Sequence, residues 1–189
     1  MPNRNKNCKY PIRLRRSLDI MSQKARKLIG LLCAIILYYI IHEGAHLVAS
    51  MIYGTFESIR IVGVGLGVQV VANTGAMTNM QVFIMCIVGP LATLAASYLL
   101  VWQSKAIVRI KSKMARAIFY YTTLVFLLLD PVYLSVIHNF VGGGDMNGIT
   151  GIGISTVLAS VVFGVIAICN LIIFIKAVLP KYKVSFAAG

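Results

Sequence analysis

The chain has 189 residues, of which 59% are hydrophobic and only 12% are charged. A charged fraction about half that of ordinary soluble proteins excludes a soluble multidomain protein and indicates one integral membrane domain built as a helical bundle. The net charge of +13 would suit a nucleic-acid-binding protein, but the basic residues fall into three clusters. This clustering is what the positive-inside rule produces in membrane proteins, so nucleic acid is not an expected partner.

The chain begins with a basic tail over residues 1–27, which holds nine of the 18 lysines and arginines. Within it, residues 12–27 favour either a short amphipathic helix on the membrane surface or a disordered cationic anchor. Residues 28–53 are apolar and long enough to form the first membrane span, which Gly54 ends.

The first span carries His42, Glu43 and His46, which form the pattern H-E-x-x-H. Histidines four residues apart project from one face of a helix, so both imidazoles can bind one metal ion. A carboxylate beside the first ligand can take a proton from a water that the metal activates, as in zinc metalloproteases. Ionisable side chains are costly in an apolar helix, so this cluster predicts a functional site. A structural histidine pair and a metal site without proteolysis are the alternatives.

The next segment, residues 57–72, differs from the spans around it. It reads ESIRIVGVGLGVQVVA, with β-branched residues and glycines alternating. Period-two alternation predicts a strand or hairpin rather than a helix. Because backbone outside a helix lies at membrane depth only where protein or water covers it, we expect a re-entrant hairpin beside the site.

Three further apolar stretches predict membrane spans, over residues 77–104, 115–137 and 149–180. The first of these contains Gly89-Pro90, where proline removes a backbone hydrogen bond and kinks a helix. A glycine-rich break over residues 138–148 precedes the last span.

The expected fold is therefore an all-α integral membrane protein with about four transmembrane helices and a short re-entrant, hairpin-like segment. The membrane-embedded domain covers residues 28–180, and residues 181–189 form a C-terminal tail. The basic clusters predict a multi-pass protein with cytoplasmic N- and C-termini and a cytoplasmic loop over 105–114. His42 then lies roughly 20 Å into the first span, nearer the non-cytoplasmic side.

Two histidines leave a catalytic zinc short of one protein ligand. Asp145 is the preferred third ligand, because the glycines around it let backbone approach closely and it opens the last helical segment. Its alternative role is an ordinary helix cap. Asp130, in the apolar run LLLDPVY, is the alternative ligand. Glu57 suits an ion pair with Arg60 better, and His138 suits an interfacial position.

Three features together resemble the site-2 protease family of intramembrane zinc metalloproteases. They are HEGAH within a membrane helix, IVGP at 87–90 and an aspartate among glycines before a later span. The likeness covers most of residues 28–150, although GGGDMNGI lacks the prolines of the family's aspartate motif. It implies a three-helix core, Zn²⁺ bound by His42, His46 and Asp145, and Glu43 as the general base. Family members commonly place the site nearer the cytosol than the charge pattern does here.

The function expected from this resemblance is hydrolysis of peptide bonds within or near transmembrane segments of membrane-protein substrates. Asn139 and Asn147 are candidates for stabilising the oxyanion or contacting the substrate. A transmembrane protein substrate and the lipid bilayer are the expected partners. The alternative is a catalytically inactive homologue, or a metal-binding membrane protein, that binds transmembrane helices. A metalloprotease with a downstream glutamate ligand is disfavoured, because no glutamate follows Glu57.

Overall fold

A computed structural model describes residues 12–62, 67–142 and 144–187 of the protein, and this part of the chain is mainly helical. The elements, in chain order, are α1 (Ile12–Ile52), β1 (Phe56–Val62), β2 (Gly67–Ala72), α2 (Asn79–Ile107), α3 (Lys113–Val132), α4 (His138–Val141), α5 (Asp145–Thr150), α6 (Thr156–Ile173) and α7 (Leu179–Ala187). Two π-helical turns, Tyr133–Ile137 and Phe174–Val178, join α3 to α4 and α6 to α7. A short 3₁₀ turn, Thr74–Ala76, precedes α2.

Four helical stretches of the described chain are long and apolar enough to cross a membrane: Gln23–Ile52, Asn79–Ile107, Lys113–Val141 and Thr156–Ala187. Large apolar side chains cover their outer faces, as at Ile36, Trp102 and Val157, which are 59%, 78% and 74% exposed. Hydrocarbon suits such side chains, whereas water does not. The structure is thus consistent with the predicted four-span, multi-pass membrane protein. The orientation of the termini stays a prediction.

The helix boundaries differ from the predicted ones at both ends of the chain. The predicted surface helix over 12–27 is continuous with the first span in α1. The last span begins at Thr156 instead of 149, because Gly153 (φ +93°) ends the preceding turns and Ser155 caps the new helix. The predicted tail boundary at 181 falls within α7.

The predicted hairpin over 57–72 is present, as β1 and β2 pair antiparallel with Arg60 opposite Gln69. An irregularity in the register leaves Glu57 without a partner between Phe56 and Ser58. Gly54, at φ +67°, turns the chain from α1 into β1. The hairpin thereby folds back beside the helix that carries HEGAH, and β2 contacts α1.

The site lies among four helices. α1 packs against α2 and α3, and α2 also packs against α5. Pro90 is buried within α2, which continues through it as one helix. Gly148 lets α5 approach α2 closely, because a Cβ there would lie 2.2 Å from Cys86 Sγ. The buried side of α5 packs into an apolar cluster, which contains Leu134, Met146, Ile149, Ala159 and Phe163.

Candidate metal centre

The side chains of His42, His46 and Asp145 converge at the junction of α1, α2 and α5. The two histidine Nε2 atoms are 3.1 Å apart. Asp145 reaches them with both oxygens, Oδ2 at 3.3 Å from His42 Nε2 and Oδ1 at 3.4 Å from His46 Nε2. In the described chain, these three residues form the group whose side chains could hold one metal ion together.

The opposite nitrogen of each imidazole is held by a separate acceptor. His46 Nδ1 donates to the Met85 backbone carbonyl at 2.7 Å. His42 Nδ1 lies 3.2 Å from Asp130 Oδ1, and that carboxylate also accepts hydrogen bonds from Tyr38 and Thr93. Because a carbonyl and a carboxylate can only accept, each Nδ1 carries the proton, which leaves the Nε2 lone pairs facing each other.

Three electron-rich groups therefore meet with no donor assigned between them. Burial raises the pKa of Asp145, but the histidines that face it outweigh burial and hold that pKa below its usual value, so the carboxylate is ionised. Either an extra proton or a cation must lie among these atoms. The donor set, two imidazole nitrogens and one carboxylate, is one that suits zinc.

The spacing of the donors provides a test of fit for such an ion. Tetrahedral zinc with ligand distances of about 2.0–2.1 Å spaces its donor atoms about 3.3 Å apart. The three donor pairs lie 3.1, 3.3 and 3.4 Å apart. His42, His46 and Asp145 therefore fit a zinc ion, and their role as ligands stays a prediction.

Asp145 is positioned by a glycine turn and by one tyrosine. Gly142 and Gly144 both adopt positive φ, at +68° and +64°, which other residues rarely do. The Tyr133 hydroxyl donates to the Gly142 carbonyl at 3.3 Å and would lie 3.1 Å from a Cβ at position 144. The turn thus directs Asp145, the first residue of α5, towards α1.

Glu43 lies beside the histidines and is tied to the hairpin. Its Oε2 accepts a hydrogen bond of 2.7 Å from the Val70 backbone N–H in β2. That bond holds one carboxylate oxygen and leaves Oε1 available. Because Val70 donates to α1 rather than to β1, this edge of β2 faces the site.

A cavity of about 660 Å³ opens over the two histidines, Glu43 and Asp145. Its size is that of a typical ligand site. One wall is the hairpin, including Arg60 and residues 68–72, and the others come from α1, α2, the end of α3 with Tyr133, and the start of α5.

Gly89 on α2 packs directly against the two imidazoles. A Cβ at this position would lie 2.5 Å from His46 Nε2 and 2.9 Å from His42 Nε2. Any side chain at position 89 would therefore displace the nitrogens that face the candidate metal position. The Gly-Pro pair of the sequence thus contributes to the site through its glycine.

The other candidate residues do not join the three converging groups. Asp130 contacts the outer nitrogen of His42, so it supports a ligand instead of joining the set. Asn139 is exposed and donates to the backbone carbonyls of Ser135 and Val136. Asn147 is exposed as well. Neither asparagine lines the cavity, so the geometry gives no support to the predicted oxyanion role of either.

Glu57 and His138 lie outside the cavity lining too. Glu57 is exposed on β1, and among the described side chains it makes no ion pair with Arg60 within 4.0 Å. His138 is buried at the start of α4. The structure therefore does not bring either residue to the histidine pair.

The sequence did not indicate Tyr38 and Thr93, which donate hydrogen bonds to Asp130, or the Met85 carbonyl, which accepts one from His46. One signal was available for Tyr38, which lies one helical turn before His42 and so shares its face. Nothing in the sequence marks Thr93 or Met85, because their partners lie on other helices.

No protein-family model, no curated protein and no solved structure matches this chain.

Proposed function

We propose that this protein is an intramembrane zinc metalloendopeptidase that resembles the site-2 proteases. The observation that carries the proposal is the convergence of His42 Nε2, His46 Nε2 and the Asp145 carboxylate beside Glu43, at the base of one cavity. Zinc sites that bind three protein ligands and leave a position open are typical of catalytic zinc.

His42, His46 and Asp145 would hold the ion. Asp130 and the Met85 carbonyl fix the tautomers and the orientation of the two imidazoles, as outer partners of zinc ligands do. Bound zinc would supply Lewis-acid chemistry, making water a nucleophile near neutral pH and polarising a peptide carbonyl.

Glu43 moves the proton. Its Oε2 is held by the Val70 N–H, and Oε1 takes a proton from the attacking water as the water oxygen bonds to the peptide carbonyl carbon. When the carbon–nitrogen bond breaks, Glu43 returns the proton to the leaving nitrogen, which departs as an amine. Glu43 ends the cycle as a carboxylate.

The edge of β2 that faces the cavity supports a binding mode for the substrate. Val70 points its N–H away from β1, and the alternation of a strand gives Val68 and Ala72 the same direction. An unwound peptide can add to such an edge as a third strand through main-chain hydrogen bonds. A helical substrate hides its peptide bonds, so its unwinding at the hairpin exposes them to Glu43.

The setting supports a membrane-protein substrate. HEGAH lies within a 30-residue helical stretch that is apolar enough to cross a membrane, Gln23–Ile52. Residues of the hairpin and Gly144 line the cavity over the site. A transmembrane segment is the substrate class that reaches a site at this position.

Cleavage in reconstituted vesicles tests the proposal. Purified protein in liposomes is mixed with synthetic transmembrane peptides, and products are identified by mass spectrometry. We expect cleavage that a zinc chelator abolishes and that added Zn²⁺, but not Mg²⁺, restores, because imidazole ligands select zinc over magnesium. Cleavage that persists in protein stripped of zinc, or no cleavage by protein with one zinc per chain, would contradict the proposal.

A further inference from the structure

Arg60 lies apart from the other basic residues in the sequence. Seventeen of the 18 lysines and arginines fall in the three clusters near the chain ends and the 105–116 region, whereas Arg60 lies in β1. It stands directly opposite Gln69 in the antiparallel register, so both side chains project from the same face of the hairpin. Both residues line the cavity that contains the histidines.

The guanidinium of Arg60 has no carboxylate within 4.0 Å among the described side chains. The carboxylates that line the cavity have other partners. Asp130 and Asp145 contact the histidines, and Glu43 accepts from the Val70 N–H. Arg60 is therefore a positively charged lining residue of the cavity without a carboxylate partner among the described side chains.

The strand register places Arg60 relative to the general-base candidate Glu43. Gln69, opposite Arg60, immediately precedes Val70, whose N–H holds the general-base candidate Glu43. Neighbouring strand residues are about 3.3 Å apart, so the backbone of Arg60 lies within about one residue of the Val70 N–H along the hairpin. A peptide added to β2 lies about 4.8 Å from β2 and about 9.6 Å from β1, a span that an arginine side chain and a carboxylate side chain can bridge together.

We propose that Arg60 selects substrates that carry a carboxylate next to the scissile bond. The inference rests on the proposed peptidase function and specifies its substrate class. Arginine binds carboxylates in a forked geometry, which gives direction as well as attraction. The carboxylate comes either from an aspartate or glutamate side chain or from a free C-terminus left by an earlier cleavage.

Digestion of a peptide library tests this selection. Wild-type protein, Arg60→Glu and Arg60→Gln are incubated with zinc and a randomised peptide library in detergent, in two arms with free or amidated C-termini. We expect wild type to favour acidic residues beside the cut by about two- to fivefold, as for an exposed ion pair. Arg60→Gln should lose this preference, and Arg60→Glu should favour lysine or arginine instead.

Arg109→Glu is the matched control, since Arg109 is exposed in the basic loop and does not line the cavity. It should keep the wild-type preference. A preference for cuts next to the peptide terminus, seen in the free arm alone, assigns the carboxylate to the terminus, and an acidic preference seen in both arms assigns it to side chains. Cleavage by wild type with neither an acidic preference nor a preference for cuts next to a free terminus, or the same preference in Arg60→Glu, would overturn this inference alone. No cleavage of any peptide by zinc-loaded wild type would overturn the peptidase function itself.

Discussion

Glu43→Gln is expected to abolish peptide cleavage while leaving the bound metal in place. Glutamine has nearly the same shape, and its carbonyl oxygen can still accept the hydrogen bond from Val70 N–H. It cannot take a proton from water, so general-base catalysis is lost, which costs about 10²–10⁴-fold in rate. The measurement is cleavage of a transmembrane peptide in liposomes, with zinc content determined on the same preparation.

Glu57→Gln is the matched control, because the same substitution is made at an exposed residue of β1 outside the cavity. This variant should cleave at the wild-type rate. If Glu43→Gln cleaves as fast as Glu57→Gln, Glu43 is not the base. If Glu43→Gln loses zinc together with activity, the carboxylate contributes to metal binding and its proposed role as a base is wrong.

Asp145→Ala is expected to lose the metal, whereas Asp130→Asn should bind it more weakly. Removing Asp145 takes away the carboxylate that faces both histidine Nε2 atoms, so we expect zinc affinity to fall by more than about 100-fold. Asparagine at 130 can still accept from His42 Nδ1 but lacks the negative charge. Outer partners of this kind contribute about 10–100-fold to metal affinity. Competition with a fluorescent zinc chelator measures both.

Folding of each variant is checked by its helical circular dichroism, so that loss of metal is separated from loss of structure. The variant with the larger loss of zinc affinity identifies the ligand, and the other identifies the residue that orients a ligand. A larger loss in Asp130→Asn than in Asp145→Ala would reverse the assignment and make Asp130 the ligand. Equal affinity in Asp145→Ala and wild type would remove Asp145 from the site.

Much of the fold follows from local patterns. Four apolar runs predict four spans, because length and hydropathy alone decide whether a helix can cross a membrane. The alternating β-branched and glycine residues after Gly54 predict the hairpin, because side chains in a strand alternate between faces. Helical phase likewise places His42 and His46 on one face.

Other parts of the site depend on contacts between distant segments. The run LLLDPVY shows that Asp130 needs compensation, but its partners lie on α1 and α2, and no local pattern identifies them. Asn139 was a candidate because it is near Asp145 in sequence. In the structure it lies in α4, donates to the backbone carbonyls of the preceding π-helical turn and does not line the cavity.

The start of the fourth span could not be predicted from hydropathy. The apolar run from 149 to 180 reads as one long helix, and 32 residues exceed what a bilayer needs. Gly151 and Gly153 interrupt this run near its start. Residues 149 and 150 belong instead to the end of α5, in which Ile149 is buried. Hydropathy cannot separate apolar residues buried in protein from those facing lipid.

X-ray absorption at the zinc edge of the purified wild-type protein shows directly whether His42, His46 and Asp145 bind zinc. We expect about one zinc per chain, bound by two imidazole nitrogens and carboxylate oxygen at about 2.0–2.2 Å. No zinc after loading would contradict it. A zinc–sulfur distance of about 2.3 Å would contradict it too, since it would assign Cys86, which also lines the cavity, to the metal in place of the proposed donors.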